Sequence, residues 1–280
     1  MRVLIFGATG LLGKALLHNW NNAELHGLGS RDADIRDRNV VGAVVDRVRP
    51  DWIVLAAAFT DVDGCESNPE LAFAVNCEGA VHVAQTAKKR HARLLFLSTD
   101  YVFDGTKTTP YETSDARAPR SVYGCSKAKA EEQIVALLPE CCIVRTSWLF
   151  GAGGRCFPGT ILKLAASRKE IDVVNDQRGS PTYAPDLAQA IAKLCEKDAS
   201  GIVHVTNAGD CTWFELAQAI VRQAGLSTLI RPSTSDKFVR PAERPRYSVL
   251  SSASLSQYGI AMPKWEEALR RYLVEMAGRS

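Results

Sequence analysis

Short apolar segments alternate with stretches of helical periodicity along the first 150 residues. Five of these segments predict buried strands: Arg2–Phe6, Glu24–Leu28, Trp52–Ala58, Arg93–Ser98 and Cys142–Arg145. Between them, the spacing of apolar side chains predicts helices, ending near Trp20 and spanning Arg38–Val48, Glu70–Arg90 and Val122–Leu138. Because such alternation is typical of right-handed βαβ units, the sequence predicts an α/β fold with a doubly wound parallel sheet.

The alternation becomes less regular after Phe150. Gly151, Gly153 and Gly154 predict a loop. The predicted elements beyond it are a helix near Thr160–Arg168, a strand at Ile171–Val174, and helices from Pro185 to about Lys197, from Thr212 to about Gln223 and from near Pro263. We therefore expect a Rossmann-like domain over residues 1–150 and a smaller domain over 151–280, with segments around 182–206 returning to the first.

Composition and charge exclude several classes of protein. The 34 basic and 31 acidic residues are scattered, with a net charge of +3, so we expect no nucleic-acid partner. The longest apolar run, Trp52–Phe59, is far shorter than the roughly 20 residues of a membrane helix, and Gly7 interrupts the first apolar segment too early for a signal peptide. The eight cysteines include no CxxC pair, which favours reduced thiols in a cytoplasmic protein over a zinc site or a disulfide framework.

A glycine-rich turn follows the first predicted strand and opens the first predicted helix. This turn spans residues 7–13 and has a GxxGxxG pattern. Its predicted cofactor contacts are Gly7, Thr9, Gly10, Leu11, Leu12 and Gly13. Glycines at this place let the backbone approach a pyrophosphate, and the helix N-terminus supplies amide donors and a positive dipole end. A glycine-rich turn without a ligand is the alternative, but the strand–turn–helix context favours a dinucleotide cofactor.

The loop after the second strand bears on the choice of cofactor. In dinucleotide folds this loop meets the adenosine ribose, about 20 residues past the glycine turn. Ser30 and Arg31 lie there, and a guanidinium can pair with the 2′-phosphate of NADPH. Asp32 and Asp34 follow closely and could bind the 2′-hydroxyl of NADH instead. We expect NADPH, with NADH as the alternative.

Tyr123 and Lys127 form the one YxxxK pattern in the chain. Their spacing places both side chains on one face of the predicted helix, and the preceding strand ends at Ser98, with Thr99 and Asp100 after it. Ligands bind beyond the carboxyl ends of parallel strands, and a neighbouring ammonium lowers the pKa of a phenol. A surface Tyr and Lys on an amphipathic helix would have the same spacing. Beside the glycine turn, the pair predicts a general acid.

Six longer strings of residues also bear on function: Ala56–Asp63, Ser98–Gly105, Tyr123–Lys127, Arg145–Trp148, Asn175–Thr182 and Arg244–Leu250. Through these strings the sequence resembles the dTDP-4-dehydrorhamnose reductase family of extended short-chain dehydrogenase/reductases, over nearly its whole length. The resemblance implies NADPH-dependent reduction of the 4-keto group of dTDP-4-dehydro-L-rhamnose to give dTDP-L-rhamnose. It also leaves room for a homodimer and for a Mg²⁺ ion at an unknown site.

The resemblance implies a role for each matching residue. Tyr123 would donate a proton to the carbonyl oxygen, Lys127 would hold the nicotinamide ribose, and Thr99 would bind the reacting oxygen. The substrate contacts would be Thr99, Asp100, Tyr101, Trp148 and Arg244. Besides the glycine turn, Tyr123 and Lys127, the cofactor contacts would be Ser30, Arg31, Asp34, Ile35, Ala58, Phe59 and Thr60. For Trp148, a core tryptophan at the domain junction is the alternative.

Two other functions fit the same sequence. The first is reduction of a different nucleotide-activated 4-keto-6-deoxy sugar. The second is a non-catalytic regulatory subunit resembling the beta subunit of methionine adenosyltransferase, which carries a similar glycine turn. Thr99 and Trp148 favour an enzyme over that regulatory role.

Overall fold

The computed structural model describes residues 1–278. Its strands are β1 (Arg2–Phe6), β2 (Glu24–Leu28), β3 (Trp52–Leu55), β4 (Arg93–Thr99), β5 (Cys142–Thr146), β6 (Leu149–Phe150), β7 (Glu170–Val174), β8 (Arg178–Gly179), β9 (Thr182–Tyr183), β10 (Gly201–His204), β11 (Cys211–Thr212) and β12 (Leu229–Ser233). Its α-helices are α1 (Leu11–Asn19), α2 (Arg38–Val48), α3 (Val62–Ser67), α4 (Pro69–Phe73), α5 (Ala80–Arg90), α6 (Val122–Leu137), α7 (Phe157–Ala165), α8 (Ala184–Glu196), α9 (Trp213–Gln223), α10 (Ala253–Ser256) and α11 (Trp265–Ala277).

Six strands form one parallel sheet in the order β10-β5-β4-β3-β1-β2. Helices cover both faces: α1 and α8 pack together on one face, and α2, α5 and α6 cover the other. The chain leaves β1 toward β2 on one side and returns to β3 on the other. The strand order therefore reverses at β1, where ligands bind in doubly wound sheets, and the predicted α/β, Rossmann-like fold is confirmed.

The bounds of two predicted elements were wrong. The third strand ends at Leu55 rather than Ala58: the Ala56 N–H still donates to the Phe6 carbonyl oxygen of β1, and Ala57 then packs against Gly7 of the glycine turn. The helix near Thr160 begins earlier, at Phe157, with Pro158 in its first turn, where the missing N–H costs no hydrogen bond. The short helix α3 lacks a clear apolar stripe and was not predicted.

A third apolar core lies in the second half of the chain, apart from the two faces of the large sheet. It is built on the β7–β12 pair and on α7, α9 and α11. The capping box that opens α9 is complete: Thr212 accepts from the Glu215 N–H, and Glu215 accepts from the Thr212 N–H. The proposed division at residue 150 stays a prediction, and α8 and β10 lie with the large sheet.

Two further findings concern the chain as a whole. No helix within residues 1–278 is long and apolar enough to cross a membrane. All eight cysteines are free thiols, and six of them are buried.

Candidate active site

A cavity of about 390 Å³ lies at the carboxyl ends of β1, β3, β4 and β5. Most of the predicted site residues line it: Gly7, Gly10, Leu11, Leu12, Gly13, Ala58, Thr60, Thr99, Asp100, Tyr101, Tyr123, Lys127 and Trp148. The folding of the parallel sheet thus gathers residues from positions 7 to 148 around one space.

The glycine turn forms the wall of this cavity at the end of β1. Gly7 has a φ of 89°, and a Cβ there would come within 2.5 Å of the Ala57 nitrogen. A Cβ on Gly13 would come within 2.5 Å of the Ala8 Cα and would also meet the Gly7 carbonyl oxygen. The first turn of α1 carries no acidic side chain, so its amide groups and positive dipole end are available to an anion. This cradle fits a dinucleotide pyrophosphate.

Tyr123 and Thr99 meet at the bottom of the cavity. Tyr123 lies in the first turn of α6, whose start is fixed by Ser121, the acceptor of a hydrogen bond from the Gly124 N–H at 3.1 Å. Thr99 is the last residue of β4, and its hydroxyl is hydrogen-bonded to Tyr123. The end of a strand and the start of a helix therefore bring two hydroxyl groups together.

Burial raises the pKa of Tyr123 well above its usual value, and the hydrogen bond to Thr99 offsets only part of this. The expected lowering of that pKa by Lys127 was therefore wrong for the unliganded protein. The same burial acts on Lys127, which is 2% exposed, and lowers its pKa to about 7. The Lys127 ammonium lies 3.9 Å from the centre of the Phe96 ring. Desolvation, which a sequence does not reveal, is the largest cause of both pKa shifts.

Two buried polar atoms of the cavity wall have no hydrogen-bond partner within the part of the chain that the structure describes. They are the Ser98 hydroxyl and one carboxylate oxygen of Asp100. The other Asp100 oxygen accepts from the Thr99 hydroxyl at 3.0 Å, and burial raises the pKa of Asp100 to about 6. Unpaired polar atoms are costly in a protein interior, so these two are suited to a ligand with hydroxyl groups.

Phe59 lies beside the cavity and is held by a buried residue that the sequence analysis missed. Asn76 accepts from the Phe59 N–H at 2.7 Å and donates to the Phe59 carbonyl oxygen at 3.0 Å. The Asn76 amide also donates to the Ser126 hydroxyl at 3.0 Å, and Ser126 donates to the Tyr123 carbonyl oxygen at 2.8 Å. Asn76 therefore fixes the loop after β3 relative to the helix that carries Tyr123.

The residues predicted to meet the adenosine end lie beyond the cavity, at the end of β2. Thr9 packs against Gly29, and the side chains of Ser30 and Arg31 are exposed just after it. Asp32 accepts from the Gly29 N–H at 2.9 Å, and the Asp34 carboxylate is paired with Arg36. Ile35 is buried against α5 and the turn before it.

Arg244 lies outside the first cavity and lines a second one of about 740 Å³. Its guanidinium binds both oxygens of Asp63, at 2.7 and 2.9 Å. This pairing lowers the pKa of Asp63 to about 2. Asp63 directly follows Val62, which lines the first cavity, and Arg244 lines the second, so this ion pair connects the edges of the two cavities.

Several cavity residues were not predicted as site residues, although five of them lie within the strings that carry the resemblance: Ala56, Val62, Ser98, Thr146 and Ser147, together with Leu97, Leu149 and Arg155 outside those strings. Most of them border the predicted ends of β3, β4 and β5, so a search of every strand end could have found them. Arg155 lies in the loop after β6, and nothing in its local sequence marks it.

Several known proteins have sequences similar to this one. Streptomyces griseus dTDP-4-dehydrorhamnose reductase is 41% identical over 100% of this chain and 95% of its own length. Streptomyces niveus dTDP-4-keto-6-deoxy-D-glucose reductase is also 41% identical, over 96% of this chain and 95% of its own. A family model, the RmlD substrate binding domain, matches residues 1–277. The chain belongs to the RmlD family of dTDP-4-dehydrorhamnose reductases.

The three-dimensional structure also agrees with membership of the RmlD family. The crystal structure of dTDP-4-dehydrorhamnose reductase from Bacillus anthracis, described as a complex with NADP, superposes with a TM-score of 0.95. It is 39% identical and covers 98% of this chain and 99% of its own. The predicted family and fold are confirmed, and the chain is that of an oxidoreductase.

The resemblance to the RmlD family also implied a Mg²⁺ ion. Within residues 1–278, no group of three or more His, Cys, Asp or Glu side chains lies close enough together to hold a metal ion. The described residues therefore do not fit a metal site within one chain.

Proposed function

We propose that this protein is an NADPH-dependent reductase that converts dTDP-4-dehydro-L-rhamnose to dTDP-L-rhamnose. The observation that carries the proposal is the hydrogen-bonded pair of Tyr123 and Thr99 beside Lys127 in a cavity bordered by the glycine turn. A proton donor, a hydroxyl partner and a dinucleotide cradle are what the reduction of a sugar ketone requires.

NADPH, when bound, supplies a hydride to the carbonyl carbon of the sugar. Tyr123 gives its phenolic proton to the carbonyl oxygen, and its raised pKa keeps that proton in place at neutral pH until the oxygen becomes basic. The Thr99 hydroxyl, which donates to Asp100 in the unliganded protein, would donate to the same oxygen instead and orient it toward Tyr123. Lys127 holds the ribose and, when protonated, stabilises the phenolate left on Tyr123, which then regains a proton from solvent.

The nucleotide end of the substrate fits the second cavity. Its lining includes five cationic side chains: Lys107, Arg120, Arg240, Arg244 and Arg246. Four of them are paired with carboxylates: Lys107 with Asp115, Arg120 with Glu243, and both Arg240 and Arg244 with Asp63. Asp104 and Asp236 also line this cavity, and Arg246 has no ion pair in the described part of the chain, so a diphosphate would bind there at Arg246. Because this cavity adjoins the first cavity across the Asp63–Arg244 pair, a sugar in one cavity could be joined to a nucleotide in the other.

The choice of NADPH rests on Arg31. Asp32 and Asp34 are engaged within their own loop, with the Gly29 N–H and with Arg36, so they compete weakly for a ribose hydroxyl. The Arg31 side chain has no hydrogen-bond partner in the described part of the chain and is free to bind a 2′-phosphate. The Bacillus anthracis relative, described in complex with NADP, supports the same choice.

A spectrophotometric assay tests the proposed reaction. Purified protein, NADPH and enzymatically generated dTDP-4-dehydro-L-rhamnose should lose the absorbance of reduced nicotinamide, with dTDP-L-rhamnose as the product. The Streptomyces niveus relative favours one second candidate, a reductase of dTDP-4-keto-6-deoxy-D-glucose. If NADPH were oxidised with that ketone and not with dTDP-4-dehydro-L-rhamnose, the protein would be a reductase of dTDP-4-keto-6-deoxy-D-glucose instead. Cofactor binding without oxidation by either ketone would favour the regulatory role.

The same assay tests the cofactor. In Arg31→Ala, the KM for NADPH should rise by about tenfold or more, since a charge-assisted contact contributes about 1.5–3 kcal/mol. The KM for NADH should hardly change. Arg270→Ala is the matched control, because this exposed arginine of α11 pairs with Glu267 and lines neither cavity. Equal losses for both cofactors in Arg31→Ala would exclude a contact with the phosphate.

A further inference from the structure

We propose that Trp213 is a positioning residue that holds the indole of Trp148 in place as the sugar-facing wall of the first cavity. The proposal rests on the function proposed above and assigns a role to a residue that does not itself line the cavity. It makes the substrate pocket depend on a helix of the third core, although the cavity lies at the large sheet.

The backbone of Trp148 alone does not fix its ring. Trp148 lies in the short link between β5 and β6, with a φ of 45°. This left-handed conformation is uncommon for a bulky side chain and persists only where the surroundings impose it. The Trp148 carbonyl oxygen accepts from the Thr182 N–H at 3.2 Å, which anchors the main chain but leaves the indole to its neighbours.

Trp213 is the main neighbour of that indole. The two rings stack with centroids 3.5 Å apart and planes 5° from parallel. Gly179 also lies against the ring, since a Cβ there would come within 2.5–2.8 Å of three indole atoms. The Trp148 ring therefore has one orientation available between these residues, and this orientation leaves part of it facing the cavity.

Trp213 is itself held firmly. It is the first residue of α9, and the complete capping box of Thr212 and Glu215 fixes that turn. Its indole N–H donates to the Gln177 side chain at 3.2 Å, and the ring of Phe157 packs against it with centroids 4.5 Å apart. A ring fixed in this way keeps the Trp148 indole at a constant position relative to α9.

The experiment compares Trp213→Leu, Trp213→Phe and Trp265→Leu, using the full chain with NADPH. Trp265 is a buried tryptophan of the same core that does not line the cavity, so its variant controls for loss of packing. In Trp213→Leu, the KM for the nucleotide sugar should rise by about tenfold or more, because displacing a substrate-contacting group by a fraction of an ångström is costly. NADPH affinity, measured by titration without sugar, should stay within about twofold.

Two further readouts separate positioning from simple packing. Trp213→Phe retains a stacked ring and should keep a KM close to that of the wild type. The far-ultraviolet circular dichroism of the wild type should show the paired bands of two coupled indoles. These bands should vanish in Trp213→Leu, and they should persist in Trp265→Leu and in the wild type with product and NADP bound.

A folded Trp213→Leu variant with a wild-type KM would overturn the proposal, and so would a rise in KM of the same size in Trp265→Leu. If Trp213→Leu does not fold, loss of the paired bands when product binds to the active wild type would overturn it instead, because Trp148 would then leave Trp213 in the complex. A wild type that binds NADPH and reduces no keto sugar contradicts the proposed function, which is a different result.

Discussion

Replacing Tyr123 by Phe removes one oxygen atom from the proposed proton donor and leaves its ring in place. Turnover should fall by about 10²–10⁴, the usual contribution of a general acid, which corresponds to roughly 2.7–5.5 kcal/mol of transition-state stabilisation. The variant also loses the hydrogen bond to Thr99, at a cost of about 1 kcal/mol in the free energy of unfolding. The loss of activity should therefore far exceed any loss of folded protein.

The assay combines three measurements on one preparation: turnover with saturating NADPH and keto sugar, NADPH affinity by titration, and stability by urea unfolding. NADPH affinity should be nearly unchanged, because the phenyl ring preserves the packing around Lys127. Tyr111→Phe is the matched control. The Tyr111 hydroxyl donates to Asp104 at 2.8 Å, and this buried tyrosine does not line the first cavity, so the control should lose stability but not turnover.

One outcome would refute this reasoning directly. If Tyr123→Phe kept more than about a tenth of the wild-type turnover, a general acid of the usual strength would have to be a different group. If Tyr111→Phe lost as much activity as Tyr123→Phe, the effect would lie in folding rather than in proton donation.

Three further predictions follow from burial and close packing. Lys127→Met should weaken NADPH binding and turnover together. Burial lowers the Lys127 pKa from 10.5 to about 7, so the unfolded chain binds a proton that the folded protein lacks between these two pH values. In urea titrations without cofactor, the free energy of unfolding of the wild type relative to this variant should therefore rise from pH 7 to 10.5. Gly13→Ala should reduce NADPH affinity by about 100-fold or more, since its Cβ meets backbone atoms, whereas Gly42→Ala, with open space around it, should raise Tm slightly. Glu131→Gln should cost about 3–5 kcal/mol in urea unfolding, because it leaves the buried Arg145 guanidinium without its partner at 2.7 Å; an effect below about 1 kcal/mol would contradict this.

The hydrophobic pattern was sufficient to predict five of the six strands of the sheet, whereas the short edge strand β10 was missed. The bounds of β1, β2 and α2 agree with prediction, because a glycine follows each strand and Asp37 and Arg49 border the helix. The third strand was extended too far because Ala56, Ala57 and Ala58 are apolar both in a strand and in a loop packed on glycine. Hydrophobicity alone does not distinguish these two environments.

The site was predicted where it follows from strand ends and short motifs. Tyr123, Lys127 and Thr99 lie together as expected, because the geometry of a parallel sheet imposes it. Asn76 and Trp213 were missed, since their partners are distant along the chain and nothing near them marks the contact. The direction of the Tyr123 pKa was wrong because desolvation depends on the whole surrounding structure.

The helical segment from Pro69 to Arg90 contains one turn, Ala74–Gly79, with π-helical hydrogen bonding, and Asn76 lies within it. Such a turn holds one residue more than a regular α-helix would need for the same rise. Deleting a single residue there would let the helix become regular and leave both flanking halves in place, because the wide turn already accommodates the extra residue; the residues within the turn, Asn76 among them, would change direction. Asn76 would then point away from Phe59 and Ser126. A one-residue gap in this helix among related sequences would therefore mark proteins that fasten the cofactor loop by other means, even where Tyr123 and Lys127 are retained.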